Sequence, residues 1–252
     1  LQGAPGVGKT FCARRLAFEI MGEKDESRVS MVQFHQNYSY EDFILGYKPS
    51  GSDFELQRGI FYKFCISAAN NPDKPYFFII DEINRGNLSK IFGELLMLIE
   101  KDYRGEKLTL AYKDENFFVP KNIYIIGMMN TADRSLAMID YALRRRFSFF
   151  NMRPGFQSDG FKKYQAALAN PRFDRLIEKV EELNRAIAKD ESLGSGFELG
   201  HSYFCCRKNG VNNAWLHQVI NYDIIPMLHE YWFDNRSELK KWEVELNSIF
   251  ND

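Results

Sequence analysis

The chain has 252 residues, 45% of them hydrophobic, which is ample core material for one large domain or two ordinary ones. Its 33 Lys and Arg against 34 Asp and Glu leave a net charge of −1, which excludes a global basic field for nucleic acid or anionic membrane. The cysteines, Cys12, Cys65 and the adjacent Cys205-Cys206, have no C-x-x-C spacing, so they read as reduced cytosolic thiols and not as a zinc site or disulfide framework. No apolar run approaches the roughly 20 residues that span a bilayer and no signal peptide opens the chain, so a soluble, cytoplasmic protein with no membrane partner is expected. The chain opens at Leu1-Gln2-Gly3, inside a motif that ordinarily follows a buried strand, so a piece of a longer sequence is expected.

In chain order, Cys12, Leu16 and Ile20 recur with helical spacing, which predicts a helix from Lys9 to Met21 directly after a Gly-rich loop. Val29 to Phe34 reads as a strand, and the aromatic, polar stretch from Tyr38 to Tyr47 as an insertion at a sheet edge. Tyr76 to Ile80 is a continuous apolar run, the pattern of a strand buried on both faces of a parallel sheet, and it ends in Asp81-Glu82. Asn87 is placed to cap a helix carrying Ile91, Leu95, Leu98 and Ile99 as far as Glu100. Lys107 to Tyr112 and Asn116 to Val119 read as a hairpin around Lys113-Asp114-Glu115, and Ile123 to Met128 as another buried strand leading to Asn130.

Strands alternating with helices predict an α/β fold with a doubly wound parallel sheet over residues 1–152. Near Met152-Arg153-Pro154-Gly155 the pattern changes, and residues 153–252 are expected to form a small helical domain. Phe173, Leu176, Ile177, Val180, Leu183 and Ile187 make one long apolar stripe there. Trp215 to Phe233 reads as a second helical region interrupted at Pro226, followed by a charged tail from Asp234.

The strongest chemical signal is Gly3-Ala4-Pro5-Gly6-Val7-Gly8-Lys9-Thr10, which satisfies G-x-x-x-x-G-K-[ST]. Glycines let backbone N–H groups turn around a β-phosphate, the following helix presents its positive end, Lys9 reaches the β/γ oxygens and Thr10 ligates Mg²⁺. Asp81-Glu82 delivers two carboxylates to the strand end where ligands bind in open α/β sheets, Asp81 as Mg²⁺ partner and Glu82 as general base. Asn130, at the next strand end, offers a neutral amide for the attacking water or the γ-phosphate; a turn Asn is the alternative. In Leu143-Arg144-Arg145-Arg146-Phe147 three consecutive arginines cannot share one helix face, so they form either a solvated rim or a guanidinium supplied in trans to a transferring phosphoryl group.

Together these motifs occur in the order of an AAA+ P-loop domain, and the resemblance covers essentially the whole chain. Met129-Asn130-Thr131-Ala132-Asp133-Arg134-Ser135, followed by Asp140-Tyr141-Ala142-Leu143-Arg144-Arg145-Arg146-Phe147, resembles the McrB family, the motor subunits of modified-cytosine-specific restriction systems. Asp81-Glu82-Ile83-Asn84-Arg85 and Gly200-His201-Ser202-Tyr203-Phe204 are similar to that family too. The resemblance implies a GTPase forming a hexameric ring with Mg²⁺, a McrC-like nuclease subunit as partner, and DNA reached through a domain absent from this chain. By motif position Gly3, Pro5, Gly6, Val7, Gly8, Lys9 and Thr10 hold phosphates, Thr10 and Asp81 the metal, Glu82 and Asn130 the water, and Arg146, with Arg145 beside it, is the trans finger. An ATP-driven remodelling chaperone of the MoxR or dynein-related kind shares every phosphate-handling residue and is the alternative. Asn130-Thr131-Ala132-Asp133 mimics a guanine-reading turn, but a sensor Asn sits at the γ-phosphate end, so Asp133 is assigned to local structure or a subunit interface. Where many AAA+ proteins carry a Gly-Ala-Arg sensor this chain has Gly200-His201-Ser202, and His201 is expected to be a hydrogen-bonded structural histidine.

Overall fold

A computed structural model describes residues 1–133, 144–205 and 210–251. Arg134 to Leu143 and Cys206, named above, lie outside the described residues. The chain divides into two compact units, the first made of Leu1–Gln2, Lys9–Met129 and Asp133–Phe150, the second of Gly3–Gly8, Asn130–Ala132 and Asn151–Asp252.

Among the described residues the strands are β1 (Gln2–Gly3), β2 (Val29–Gln33), β3 (Leu45–Ser50), β4 (Asp53–Arg58), β5 (Tyr76–Asp81), β6 (Leu108–Leu110), β7 (Lys113–Phe117), β8 (Ile123–Gly127), β9 (Met129–Asn130) and β10 (Asn151–Met152). In the first unit β2, β5 and β8 pair in parallel in the order β2-β5-β8, with Val32 opposite Ile80 and Ile80 opposite Gly127. Tyr76 to Ile80 are all buried, as the unbroken apolar run requires of a central strand covered on both faces.

Helices α1 (Lys9–Met21), α2 (Tyr40–Phe43), α3 (Ile60–Ala69) and α4 (Leu88–Phe92) belong to the first unit. Helix α1 forms where expected but buries Ala13 and Ala17, while Leu16 and Ile20 stay 41% and 51% exposed. Ala13 clusters with Ile79 and Met128, and after Lys9 the buried positions of α1 are alanines. The aromatic stretch packs inward: α2 sends Phe43 into the main core, where its ring stacks on Phe61 with centroids 4.8 Å apart. The expected single helix to Glu100 stops at Phe92, because Gly93 takes φ +51° and a 3-10 turn follows. Asn87 caps it as predicted, its Oδ1 accepting from Lys90 N at 3.0 Å. The second hairpin turns earlier than expected, at Ala111-Tyr112, where Glu94 Oε1 accepts from Ala111 N at 3.0 Å.

The second unit is helical: α5 (Asp159–Leu168), α6 (Pro171–Lys189), α7 (Asn213–Gln218), α8 (Ile225–Tyr231) and α9 (Arg236–Asn247). All six residues of the predicted α6 stripe are buried. At Pro226 the chain stays helical but not α-helical throughout: a π-helical stretch, Val219–Ile224, carries it from α7 into α8, with the proline in the first turn of α8 directly after that wider turn. The charged tail folds as α9, whose Leu239, Trp242 and Leu246 are buried. Among the described residues no helix is long and apolar enough to cross a membrane.

Candidate functional site

The phosphate-loop residues Gly3 to Gly8 belong to the second unit, and their shape follows from what touches them. Gly6 and Gly8 take φ +76° and +82°, a region closed to most side chains. A Cβ on Gly3 would overlap the Met152 carbonyl, and one on Gly6 would lie 2.5 Å from the Tyr203 ring. Ala4 and Val7 are each 2% exposed and anchor the loop. Its outer carbonyls are engaged: Pro5 O accepts from Gly200 N at 3.0 Å and Gly6 O from Ser202 N at 2.9 Å.

Asn130 stands in the same unit, one residue before Thr131, whose N–H donates to Gly3 O at 3.2 Å. Thr131 Oγ1 also donates to Gly196 O at 2.9 Å, so the segment carrying Asn130 is tied at two points. His201 is hydrogen-bonded as expected, Nδ1 accepting from Gly155 N at 2.9 Å. Burial lowers its pKa from the ordinary imidazole value.

The first unit brings Lys9, Asp81 and Glu82 together. Lys9 opens α1 at 9% exposure; burial lowers its pKa, and the carboxylates of Glu82 and Asp81 act in the opposite direction. Thr10, next in the helix, is exposed. Asp81 ends β5, and its Oδ1 accepts from Glu82 N at 3.1 Å. Glu82 itself is buried and left-handed, φ +50° and ψ +44°, a conformation costing a non-glycine residue about 1–2 kcal/mol. This backbone turn takes the chain from β5 into the next segment and places two carboxylates at one strand end.

Arg85 completes the group, with Nε 3.1 Å from Glu82 Oε2 and Nη2 2.9 Å from Asp133 Oδ2. Asp133 is thus engaged within its own chain. The one sequence signal for Arg85 in this group is its i,i+3 spacing from Glu82. Arg146 is only 12% exposed at its side chain and pairs with Glu100 at 2.7 Å. Nothing in the sequence marked Glu100 for that contact. Arg145 is exposed, and the Arg144 guanidinium lies over the Phe149 ring, 5.8 Å from its centroid.

A cavity of about 300 Å³ in this unit is lined by Leu1, Ile125, Met129, Arg104 and Arg146 among others, and by none of Lys9, Asp81 or Glu82, so it is not the phosphate site. Arg104 is structural there, donating to Ile123 O at 2.6 Å and Ile99 O at 3.1 Å. No cluster of three His, Cys, Asp or Glu able to hold a metal occurs among the described residues. The donor set nonetheless fits Mg²⁺, which is held by a carboxylate or two together with a hydroxyl, phosphates and water and needs no all-protein cage. A desolvated lysine beside two carboxylates likewise fits a polyphosphate with its metal.

These features define a class, a P-loop nucleoside triphosphatase, and residues 1–147 match the AAA domain (dynein-related subfamily). Residues 175–240 match the McrB alpha-helical lid domain. The chain is 54% identical over 257 residues to the "Type IV methyl-directed restriction enzyme EcoKMcrB subunit" of Escherichia coli (strain K12), covering 98% of this chain and 56% of that protein. It is 29% identical over 189 residues to the "Type II restriction enzyme BsuMI component YdiS" of Bacillus subtilis (strain 168), covering 59% of this chain and 55% of that one. The chain belongs to the McrB family of AAA+ proteins, and it spans about half the length of the curated relatives it matches.

Proposed function

We propose that the chain hydrolyses GTP with Mg²⁺ as the motor of a ring-forming restriction complex and drives a McrC-like nuclease subunit against methylated DNA. The observation that carries the hydrolytic part is the grouping of Lys9 with Asp81 and Glu82 at the end of β5. The McrB lid match supports the restriction role. Residues 1–152 act as the nucleotide-binding domain and 153–252 as the helical lid. Gly3 to Lys9 bind the phosphates, Thr10 and Asp81 hold Mg²⁺, and Glu82 takes the proton from the attacking water. Asn130 orients that water or the γ-phosphate through its neutral amide. Bound Mg²⁺ supplies charge neutralisation for the phosphoryl transfer.

The trans guanidinium comes from Arg145 and Arg146, which makes the active form an oligomer, with a hexamer as our reading. Because Arg146 is held by Glu100 within its own chain, reaching a neighbour requires it to leave that carboxylate. DNA recognition and cleavage are assigned to parts of the complex outside these 252 residues, whose net charge of −1 offers no basic field, and we place the complex in the cytoplasm. A second reading, an ATP-driven remodelling chaperone, is favoured by the dynein-related character of residues 1–147. Turnover of GTP and ATP in parallel, with and without the nuclease subunit, separates the two. GTP preference with stimulation by the nuclease supports the motor, and ATP preference without it supports the chaperone.

A further inference from the structure

Gly200 has an ordinary extended backbone, φ −75° and ψ +153°, so its conformation does not demand glycine. What demands it is the loop: a Cβ at Gly200 would overlap the Gly6 carbonyl group and the Val7 nitrogen, all backbone atoms that cannot swing aside. The turn that begins here runs along the loop. Gly200 N and Ser202 N donate to Pro5 O and Gly6 O at 3.0 and 2.9 Å, and the Tyr203 ring stands against Gly6.

In a trans peptide the carbonyl and the next residue's N–H point in opposite directions. Holding Pro5 O and Gly6 O against the turn therefore aims the Gly6 and Val7 N–H groups away from it, the arrangement an anion cradle needs. Glycine at position 6 leaves those peptide planes free to rotate unless something outside fixes them.

The turn is itself anchored. Asn184, 6% exposed in α6, accepts from Leu199 N at 2.7 Å and donates to Leu199 O at 3.0 Å, pinning the residue before Gly200. His201 is wedged beside Gly155, whose added Cβ would sit 3.1 Å from the ring.

We propose that Gly200 to Tyr203 form the back wall of the phosphate loop and that Gly200 and Tyr203 are positioning residues for phosphate binding, with Asn184 setting the wall in place. This rests on the reading of Gly3 to Thr10 as the nucleotide site. The wall touches no phosphate itself; it selects the loop conformation whose amides do.

The test is the dissociation constant of a slowly hydrolysed GTP analogue with Mg²⁺, measured alongside the thermal midpoint of the ligand-free chain. Gly200→Ala should weaken binding by the folded chain about tenfold or more, the scale of one or two lost charge-assisted hydrogen bonds, and lower the midpoint as well, since its Cβ meets backbone atoms. Tyr203→Ala should weaken it less, and it decides the matter if Gly200→Ala does not fold. Gly160→Ala, where an added Cβ meets nothing within 4 Å, should bind as the unaltered chain does. Lys9→Ala separates the two levels of inference. If Lys9→Ala binds normally the nucleotide site is misplaced, whereas loss in Lys9→Ala with unchanged binding in folded Gly200→Ala or Tyr203→Ala overturns the back wall alone.

Discussion

The strand end of the first unit and the turn in the second carry buried polar groups under opposite conditions. At Asn184 both Leu199 backbone groups and the side-chain amide are satisfied by one another, so burial costs little and the geometry is fixed. At the β5 end, Lys9 is desolvated, Glu82 sits in a left-handed backbone, and two carboxylates share one strand terminus. The first arrangement stabilises a fold. The second is desolvated and strained, and under the proposed function a polyanion with its metal would relieve both.

That contrast can be broken most severely at the arginines. Arg146→Ala should lower turnover by roughly 10³-fold or more, the effect of removing a trans guanidinium, while leaving nucleotide binding nearly intact. Full turnover would return the cluster to a surface role. Because Glu100 competes for the same guanidinium, Glu100→Gln should raise turnover; a fall would make the ion pair a structural brace.

In the second unit, Asn184→Ala leaves the Leu199 N–H and carbonyl unmatched in the core and should cost about 2 kcal/mol or more in urea unfolding. A cost below about 0.5 kcal/mol would show that water satisfies those groups instead. Glu82→Gly should do the reverse and raise stability by about 1 kcal/mol through relief of the positive φ, even as hydrolysis disappears. A destabilised Glu82→Gly would remove the strain from the comparison.

The smallest effect is expected at Asp25, which neither site uses. Hydrogen bonds from Ser27 and Arg28 hold the Asp25 carboxyl at about 2, below its ordinary 3.8. A depressed folded pKa contributes stability that is fully present above 3.8 and fades as the pH falls toward 2, so the gap between the chain and Asp25→Asn should close over that window. A gap independent of pH would leave the carboxylate without a charge role.

Much of this was legible in the residues. The phosphate loop and the acidic strand end are spelled in local sequence, because their chemistry needs fixed residue types at fixed spacing. The α6 stripe was equally plain, since period and burial agree. The β3–β4 hairpin and α3 were not anticipated: Pro49 lies inside β3, and the Gly51-Ser52 turn, with Gly51 at φ +62°, is short and weakly marked. Helix α4 was overextended because an apolar stripe carries no sign that Gly93 will turn left-handed beside Tyr40. The Arg146–Glu100 pair and the Gly200 wall join residues distant in sequence, where local pattern is silent.

The most direct measurement is hydrolysis and binding in Glu82→Gln. The account predicts Mg²⁺-dependent turnover in the unaltered chain, a loss of about 10² to 10⁴-fold in the variant, and retained affinity for the triphosphate. Turnover by Glu82→Gln at the unaltered rate would contradict it.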